Sequence, residues 1–204
     1  MKLIASALVS MAAATAPALA QDTGTASETV RRAIHVCEAC HGESGRAKDA
    51  AMPTLAGQMP QYLQRQLKDF RSQARAEANT QAYMWGVSAL LDDATIDGLS
   101  AYYASLPPHA GKPGKAPLLK AGRKIYEDGM VTRGVKPCAG CHGDNAEGEA
   151  GFPRLAGQSA AYLASQLKLF RTTPLRQHGV LMKKESKALS DAEIRAVAAY
   201  LQSK

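Results

Sequence analysis

Two short stretches decide the fold, Cys37-Glu38-Ala39-Cys40-His41 and Cys138-Ala139-Gly140-Cys141-His142, and together they contain all four cysteines of the chain. Each has the spacing C-x-x-C-H, which is the attachment signature of c-type haem. Two thiols three positions apart on one helical turn can bond to the two vinyl groups of a haem, and the histidine that follows can bind the iron. The spacing therefore predicts two covalently attached haem c groups, one in each half of the chain.

Other uses of the four cysteines explain less of the pattern. A disulfide framework does not require a histidine after each pair, and the thioredoxin type of C-x-x-C lies in a βαβ context that this sequence lacks. A zinc site built from both pairs would have to close a loop of about a hundred residues and would leave both histidines without a role.

Residues 1–20 are expected to form an export signal. Lys2 supplies the positive charge, residues 3–16 form an apolar run, and Ala18-Leu19-Ala20 is a cleavage site of the A-x-A type. An uncleaved membrane anchor is the alternative, because the apolar run approaches the length that spans a bilayer. Pro17 and the small residues at the end favour cleavage. The sequence thus predicts a periplasmic protein without stable membrane insertion, and leaves peripheral association with a membrane open.

The second half of the chain repeats the first. The haem motifs recur at an offset of 101 positions, and the segment P-x-L-A-G-Q recurs at an offset of 100, over residues 53–58 and 153–158. We therefore expect two monohaem domains, over residues 21–107 and 118–204. The Pro/Gly-rich residues 108–117 are expected to be a semi-rigid linker between them.

Each repeat has the hydrophobic pattern of helices, and no strand alternation appears. A first helix is expected to start at Ser27 or Thr29 and to run into Cys37. Its counterpart covers residues 118–127 and is followed by an added loop over residues 128–137. The remaining predicted helices cover residues 61–75, 93–105, 160–172 and 190–202. Ser190 and Glu193 are expected to form a capping box. The expected fold class is all-α.

The second axial ligand of each iron decides between electron transfer and catalysis. Methionine opposite histidine gives a closed centre with a raised reduction potential, as in cytochromes c. Of the candidate methionines only Met84 and Met182 are related by the repeat, so both are predicted ligands in loops before the last helix of each half. His178 is a competing ligand for the second haem, but it has no counterpart histidine in the first repeat and is expected on the surface.

The net charge of +7 is unevenly distributed. Residues 21–107 contain 8 basic and 10 acidic side chains, whereas residues 108–204 contain 16 and 8. No nucleic-acid-binding motif accompanies this charge, so binding of nucleic acid is not expected. Basic residues lie around Met182, whereas the neighbours of Met84 are mostly apolar. The basic set is Arg176, Lys183, Lys184 and Lys187, and the set near Met84 is Tyr83, Trp85, Gly86 and Val87. We expect the second haem to face acidic partners.

The duplicated haem motif, the paired P-x-L-A-G-Q segments, the paired methionines and the closing A-x-Y helices resemble the dihaem cytochrome c4 family. The resemblance implies two tandem class I cytochrome c domains related by a pseudo-twofold axis, with haem propionates near the interface. It also implies that the carbonyl groups of Pro53 and Pro153 orient His41 and His142, the proximal ligands. The implied function is electron transfer from a quinol-oxidising complex or a dehydrogenase to a terminal oxidase, without enzymatic activity of its own.

Two other functions remain open on the sequence. Haem subunits of dehydrogenase complexes, such as a flavocytochrome that oxidises sulfide, share a dihaem architecture. A small dihaem peroxidase or a thiosulfate-oxidising cytochrome would need an open or unusually ligated iron.

Overall fold

A computed structural model describes residues 27–204 of the chain, so the expected export signal over residues 1–20 lies outside the described part. Within residues 27–204 all regular secondary structure is helical, and β-type pairing is limited to isolated bridges. The all-α prediction is confirmed. No helix in this part of the chain is long and apolar enough to cross a bilayer.

The helices follow the same order in both repeats, except that the single first helix of the first domain corresponds to two helices in the second. Those of the first domain are α1 Glu28–His41, α2 Pro60–Arg71, α3 Trp85–Ser88 and α4 Asp93–Ser105. Those of the second domain are α5 Ala116–Asp128, α6 Ala139–His142, α7 Ala160–Thr172, α8 Val180–Ser186 and α9 Asp191–Gln202. Single turns of other helical types cover Glu43–Gly45, Thr80–Met84, Val131–Arg133 and Gln177–Gly179.

Local sequence signals set several helix ends. The Ser27 hydroxyl accepts a hydrogen bond from Val30 N at 3.2 Å, so Ser27 rather than Thr29 caps α1. Helix α2 ends at Arg71, four residues before the predicted end, because Gln73 adopts a left-handed φ of 61° that breaks the helix. Helix α5 begins at Ala116, so Pro117 lies in its first turn, where proline is favoured, and not in the linker.

Each domain has its own hydrophobic core. In the first domain α1 packs on α4, with Val30, Ile34 and Leu99 among the buried side chains. In the second domain α5 packs on α9 at Gly122, where a Cβ would lie 2.1 Å from the carbonyl oxygen of Ala196. Only glycine permits this close approach of the two helix backbones. The two cores are separate, which agrees with one folding unit in each repeat.

Equivalent residues of the two domains meet at the interface, as a pseudo-twofold axis requires. Arg75 and Arg176 form an antiparallel bridge pair there. Their guanidinium carbons lie 4.6 Å and 4.5 Å from the ring centres of Phe70 and Phe170, respectively. Glu77 accepts hydrogen bonds from both arginines. Burial raises the pKa of Glu77, but the two guanidinium groups outweigh it, so this pKa lies below its ordinary value.

The position of Arg176 corrects the predicted basic surface near Met182. Its side chain is only 9 % exposed and is paired with Glu77, so it cannot contact a partner protein. Arg176 is buried because it lies at the domain interface, where it hydrogen-bonds Glu77 and Gln166 and packs over the Phe170 ring. Lys183, Lys184 and Lys187 are exposed as expected.

The predicted capping box of α9 is present, and Arg133 reinforces it. The Glu193 carboxylate accepts hydrogen bonds from Arg133 at 2.7 Å and from Ser190 N at 2.7 Å, and these contacts lower the pKa of Glu193 to about 2. Because the folded-state pKa lies below the ordinary value, the ionised carboxylate stabilises the folded protein at neutral pH. That contribution is lost as the pH falls through about 2.

We expect Glu193→Gln to lower the free energy of unfolding by about 1 kcal/mol at pH 7, and to differ little from the wild type near pH 2. Chemical denaturation of the haem-loaded protein at both pH values measures this difference. Asp128→Asn is the control, because the Asp128–Lys124 pair is exposed and should contribute less than about 0.5 kcal/mol. A loss for Glu193→Gln that is equal at both pH values would contradict the ionic contribution.

Candidate haem sites

The first haem motif lies at the end of α1. Cys37 and His41 are four residues apart and therefore share one helix face, with Cys37 half-buried and Cys40 exposed. The His41 imidazole is buried, and its Nδ1 lies 2.9 Å from the carbonyl oxygen of Pro53. Because a carbonyl can only accept, Nδ1 carries the proton and donates it. The other nitrogen, Nε2, is then left as the metal-binding atom.

The second haem motif has the same geometry, but it lies on a short helix of its own. The added loop after α5, over residues 129–137, leads into the short helix α6, which ends at His142. His142 is buried, and its Nδ1 also lies 2.9 Å from a proline carbonyl oxygen, that of Pro153. The contact expected from the resemblance is therefore present in both domains.

Burial sets the protonation state of both motifs. It lowers the pKa of His41 and of His142 more than the proline carbonyls raise it, which favours the neutral form of the ring, the form in which an imidazole can bind a metal. Burial also raises the pKa of Cys37, and it raises that of Cys138 to about 11. These two thiols are therefore protonated at neutral pH before a haem is attached.

The structure does not support the competing uses of the cysteines. Within residues 27–204 no disulfide joins any of the four cysteines. Among residues 27–204 no three His, Cys, Asp or Glu side chains come together as a possible metal cluster, so the two C-x-x-C pairs do not form one zinc site. Each pair lies instead beside its own buried histidine, as haem attachment requires.

A glycine after each motif turns the chain toward the proline. Gly42 has a φ of 77°, and a Cβ there would lie 2.2 Å from the carbonyl oxygen of Arg46. The turn ends at Gly45, whose carbonyl accepts a hydrogen bond from Leu55 N at 2.8 Å. This bond holds the segment that carries Pro53 against the haem motif.

Met84 and Met182 occupy equivalent positions, but the prediction that they lie in loops is wrong. Met84 ends the turn Thr80–Met84 directly before α3, and Met182 lies within α8. Both are half-buried. The fully buried hydroxyls of Ser88 and Ser186 donate to the carbonyl oxygens of Met84 and Met182, four residues earlier. These bonds close a helical turn that begins at each methionine. The sequence signal for this turn is a serine four residues after each methionine.

His178 joins the two domains. Its Nδ1 lies 2.8 Å from Asp69 Oδ1, and its side chain is 58 % exposed. The predicted surface position agrees with this exposure, but the contact with Asp69 has no sequence signal. Because Arg176 is equivalent to Arg75 across the axis, His178 corresponds to Glu77. Asp69 corresponds to Leu169 at the offset of 100, so the pair exists on one side of the axis only.

Sequence reasoning also missed the role of two buried glutamines, Gln58 and Gln158, which hydrogen-bond across the interface next to the two prolines. Their recurrence at an offset of 100 was visible in the sequence. That they bind the opposite domain and not their own could be seen only in the structure.

The residues present fit a covalently bound haem in each domain. Each motif provides two thiols and a neutral, buried imidazole whose Nε2 is free for iron, and all of these groups lie at the end of one helix. Two such motifs in a helical, duplicated fold define a c-type cytochrome with two haems.

Comparison with known proteins gives the same class. The cytochrome c family profile matches residues 14–107 and 119–204. Cytochrome c4 of Thiocapsa roseopersicina is 38% identical over 192 residues, covering 91% of this chain and 95% of that protein. The solved structure of Acidithiobacillus ferrooxidans cytochrome c4 superposes with a TM-score of 0.75 at 35% identity, covering 82% of this chain and 98% of that one. The chain therefore belongs to the cytochrome c family, as a member of the dihaem cytochrome c4 group.

A third relative carries a functional name. The thiosulfate dehydrogenase electron acceptor of Thiomonas intermedia is 37% identical over 171 residues, covering 81% of this chain and 76% of that protein. Together these relatives establish a dihaem electron-transfer protein with two covalent haem c groups, and Cys37, Cys40, Cys138 and Cys141 fit the attachment motifs.

We expect Gly42→Ala to lower the free energy of unfolding of the haem-loaded protein by about 2 kcal/mol, because the left-handed φ is strained for alanine and its Cβ would meet the Arg46 carbonyl. Denaturant titration measures the loss. Gly140→Ala is the matched control. A Cβ there has no heavy atom within 4 Å, and the first motif already has alanine at the equivalent position, Ala39. Equal stability of the two variants would show that the turn at Gly42 is not required.

Proposed function

We propose that this protein is a periplasmic carrier that passes single electrons from a respiratory donor, a quinol-oxidising complex or a dehydrogenase, to a terminal oxidase. The observation that carries the proposal is that each domain contains a buried histidine hydrogen-bonded to a proline carbonyl, together with a half-buried methionine at a repeat-related position. The export signal expected from the sequence over residues 1–20 supports the location. Exposed lysines in the second domain leave peripheral association with a membrane open.

In this proposal His41 and Met84 bind the first iron, and His142 and Met182 bind the second. Each attached haem supplies an iron that alternates between the ferric and ferrous states. The proline carbonyls of residues 53 and 153 hold the imidazole rings in place and raise their basicity. With Met84 and Met182 also bound to iron, a substrate would not reach the metal, and the protein would have no catalytic site of its own.

The two methionines lie beside different surfaces. Near Met84 the exposed side chains include Tyr83 and Val87. Near Met182 the exposed Lys183, Lys184 and Lys187 give a positive surface. We expect the second domain to dock an acidic redox partner through these lysines, while the first domain meets a more apolar one.

A second candidate function is that of a dedicated electron acceptor for a dehydrogenase. The thiosulfate dehydrogenase electron acceptor of Thiomonas intermedia favours it. So does the solved thiosulfate dehydrogenase TsdBA of Marichromatium purpuratum, of which this chain covers 36% at 33% identity with a TM-score of 0.71. Isolation from cells as a stable complex with a dehydrogenase subunit would favour this candidate over the free carrier.

Replacing the axial methionines tests the closed iron sites. We expect the reduced wild-type protein not to bind carbon monoxide, and Met84→Ala and Met182→Ala each to bind it at one haem. Loss of the thioether should also lower the potential of that haem by at least about 59 mV, which is tenfold in the redox equilibrium constant. Optical redox titration with and without carbon monoxide measures both effects.

Met130→Ala is the control for these variants, because Met130 packs beside the core of the second domain and has no repeat counterpart. It should leave both haem spectra unchanged. Binding of carbon monoxide to the reduced wild type would contradict the carrier and would favour an enzyme with an open iron.

Charge reversal tests the docking surface. We expect the triple variant Lys183→Glu, Lys184→Glu, Lys187→Glu to slow electron transfer to a terminal oxidase at least about tenfold at low salt, with the difference shrinking as the ionic strength rises. Stopped-flow kinetics over a salt series measures this. The control makes the same charge change at Lys112, Lys115 and Lys120, which are exposed on the linker and α5. A rate that is unchanged and independent of salt would contradict docking through the second domain.

A further inference from the structure

Two buried glutamines cross between the domains in a reciprocal arrangement. Gln158 Oε1 accepts from Thr54 N at 3.0 Å, and Gln158 Nε2 donates to Thr54 O at 3.0 Å. On the other side of the axis, Gln58 Oε1 accepts from Arg154 N at 2.7 Å, and Gln58 Nε2 donates to Arg154 O at 3.0 Å. Each amide group therefore binds the backbone of one residue in the opposite domain.

The residue bound by each glutamine directly follows the proline that holds the proximal histidine. The carbonyl of Pro53 and the N–H of Thr54 belong to one planar peptide group. That group accepts from His41 Nδ1 at 2.9 Å on one side and donates to Gln158 Oε1 at 3.0 Å on the other. A continuous hydrogen-bond chain thus runs from the imidazole of the first domain to a side chain of the second.

The second histidine has the same connection in the opposite direction. The Pro153–Arg154 peptide group accepts from His142 Nδ1 at 2.9 Å and donates to Gln58 Oε1 at 2.7 Å. The two hydrogen-bond chains cross at the interface. Each runs from the histidine of one domain to the glutamine of the other domain.

Hydrogen bonds that share a peptide group strengthen one another. Donation by the peptide N–H places more negative charge on the carbonyl oxygen of the same group, so the carbonyl accepts more strongly from the imidazole. A stronger bond at Nδ1 makes the ring a more basic ligand, which stabilises ferric over ferrous iron and lowers the reduction potential. Both glutamines are buried, with 7 % and 6 % of their surface exposed, so water competes little for these bonds.

The glutamine side chains are held firmly in this position. Each Oε1 also accepts from the next residue of its own chain segment, from Met59 N at 2.9 Å and from Ser159 N at 3.0 Å. These bonds fix the amide where α2 and α7 begin. The start of α2 or α7 in one domain thereby fixes the position of the glutamine that binds the proline peptide group of the other domain.

We propose that Gln158 sets the reduction potential of the first haem and Gln58 that of the second, as positioning residues that act across the domain interface through the Pro53–Thr54 and Pro153–Arg154 peptide groups. The inference rests on the proposed role of His41 and His142 as axial ligands. Separation of the two domains would then change both potentials, although neither iron loses a ligand.

Gln158→Met tests the crossed connection, because methionine has a similar size but does not offer the amide oxygen. In the haem-loaded protein it should raise the potential of the first haem, by about fivefold in the redox equilibrium constant or about 40 mV. The NMR signal of the His41 Nδ1–H should move to higher field, while that of His142 stays. Gln58→Met should give the mirror result, with the second haem and His142 affected.

Two further variants separate this effect from a loosened interface. Ser159→Gly removes a hydroxyl hydrogen bond to the carbonyl of Ala50 across the interface. It keeps the backbone N–H that Gln158 Oε1 accepts, and glycine is tolerated at the start of α7, where Ser159 is the cap. This variant should change neither potential. Gln158→Glu keeps an acceptor oxygen opposite Thr54 N–H and should not raise the first potential. An equal rise in Gln158→Met and Gln158→Glu, or a shift confined to the haem of the mutated domain, would overturn the proposal.

The same spectra distinguish this proposal from the axial assignment. If the haem-shifted imidazole signals of His41 and His142 are absent from the wild type, the axial assignment fails and the crossed connection fails with it. If they are present and Gln158→Met leaves the first potential and the His41 ring N–H unchanged, only the crossed connection is overturned.

Discussion

The hydrogen bond from each buried histidine Nδ1–H to a proline carbonyl is the constraint on which the rest of the structure depends. It fixes the tautomer of the ring, directs Nε2 away from the protein backbone and requires the loop after each haem motif to return to the same helix end. The left-handed glycine after each motif turns the loop back, and in the first domain the bond from Leu55 N to Gly45 O holds it there. A helix, a turn and a proline thus form one unit, which the chain contains twice.

Duplication then brings the two units into contact through the segments that already hold the histidines. The P-x-L-A-G-Q segments lie at the interface, so the glutamine of each repeat reaches the peptide group after the proline of the other. Since each domain is small, this shared polar layer and the Arg75–Glu77–Arg176 cluster provide contacts that neither core offers alone. Because the interface is built from the segments that hold His41 and His142, it also fixes the position of one haem motif relative to the other.

The two halves differ where the repeat is imperfect. Glu77 has His178 as its counterpart, and this one difference places a single carboxylate between two arginines and creates the cross-domain pair of His178 with Asp69. The charge difference on the outer surface is also one-sided, because the lysines that follow Met182 have no equivalents after Met84. A symmetric scaffold thus carries two haem-attachment regions whose surroundings differ in charge.

The sequence by itself determined the helical class, the duplication, the two haem motifs and the pairing of Met84 with Met182, because each of these is a matter of local spacing or of repetition along the chain. It did not determine that the methionines lie in helical turns, because α3 and α8 are too short to show a hydrophobic period in the sequence. Nor did it place Arg176 in the interface or direct Gln158 toward Thr54. Those contacts join residues about a hundred positions apart, and their existence depends on how the two domains pack about the pseudo-twofold axis, which only the tertiary structure decides.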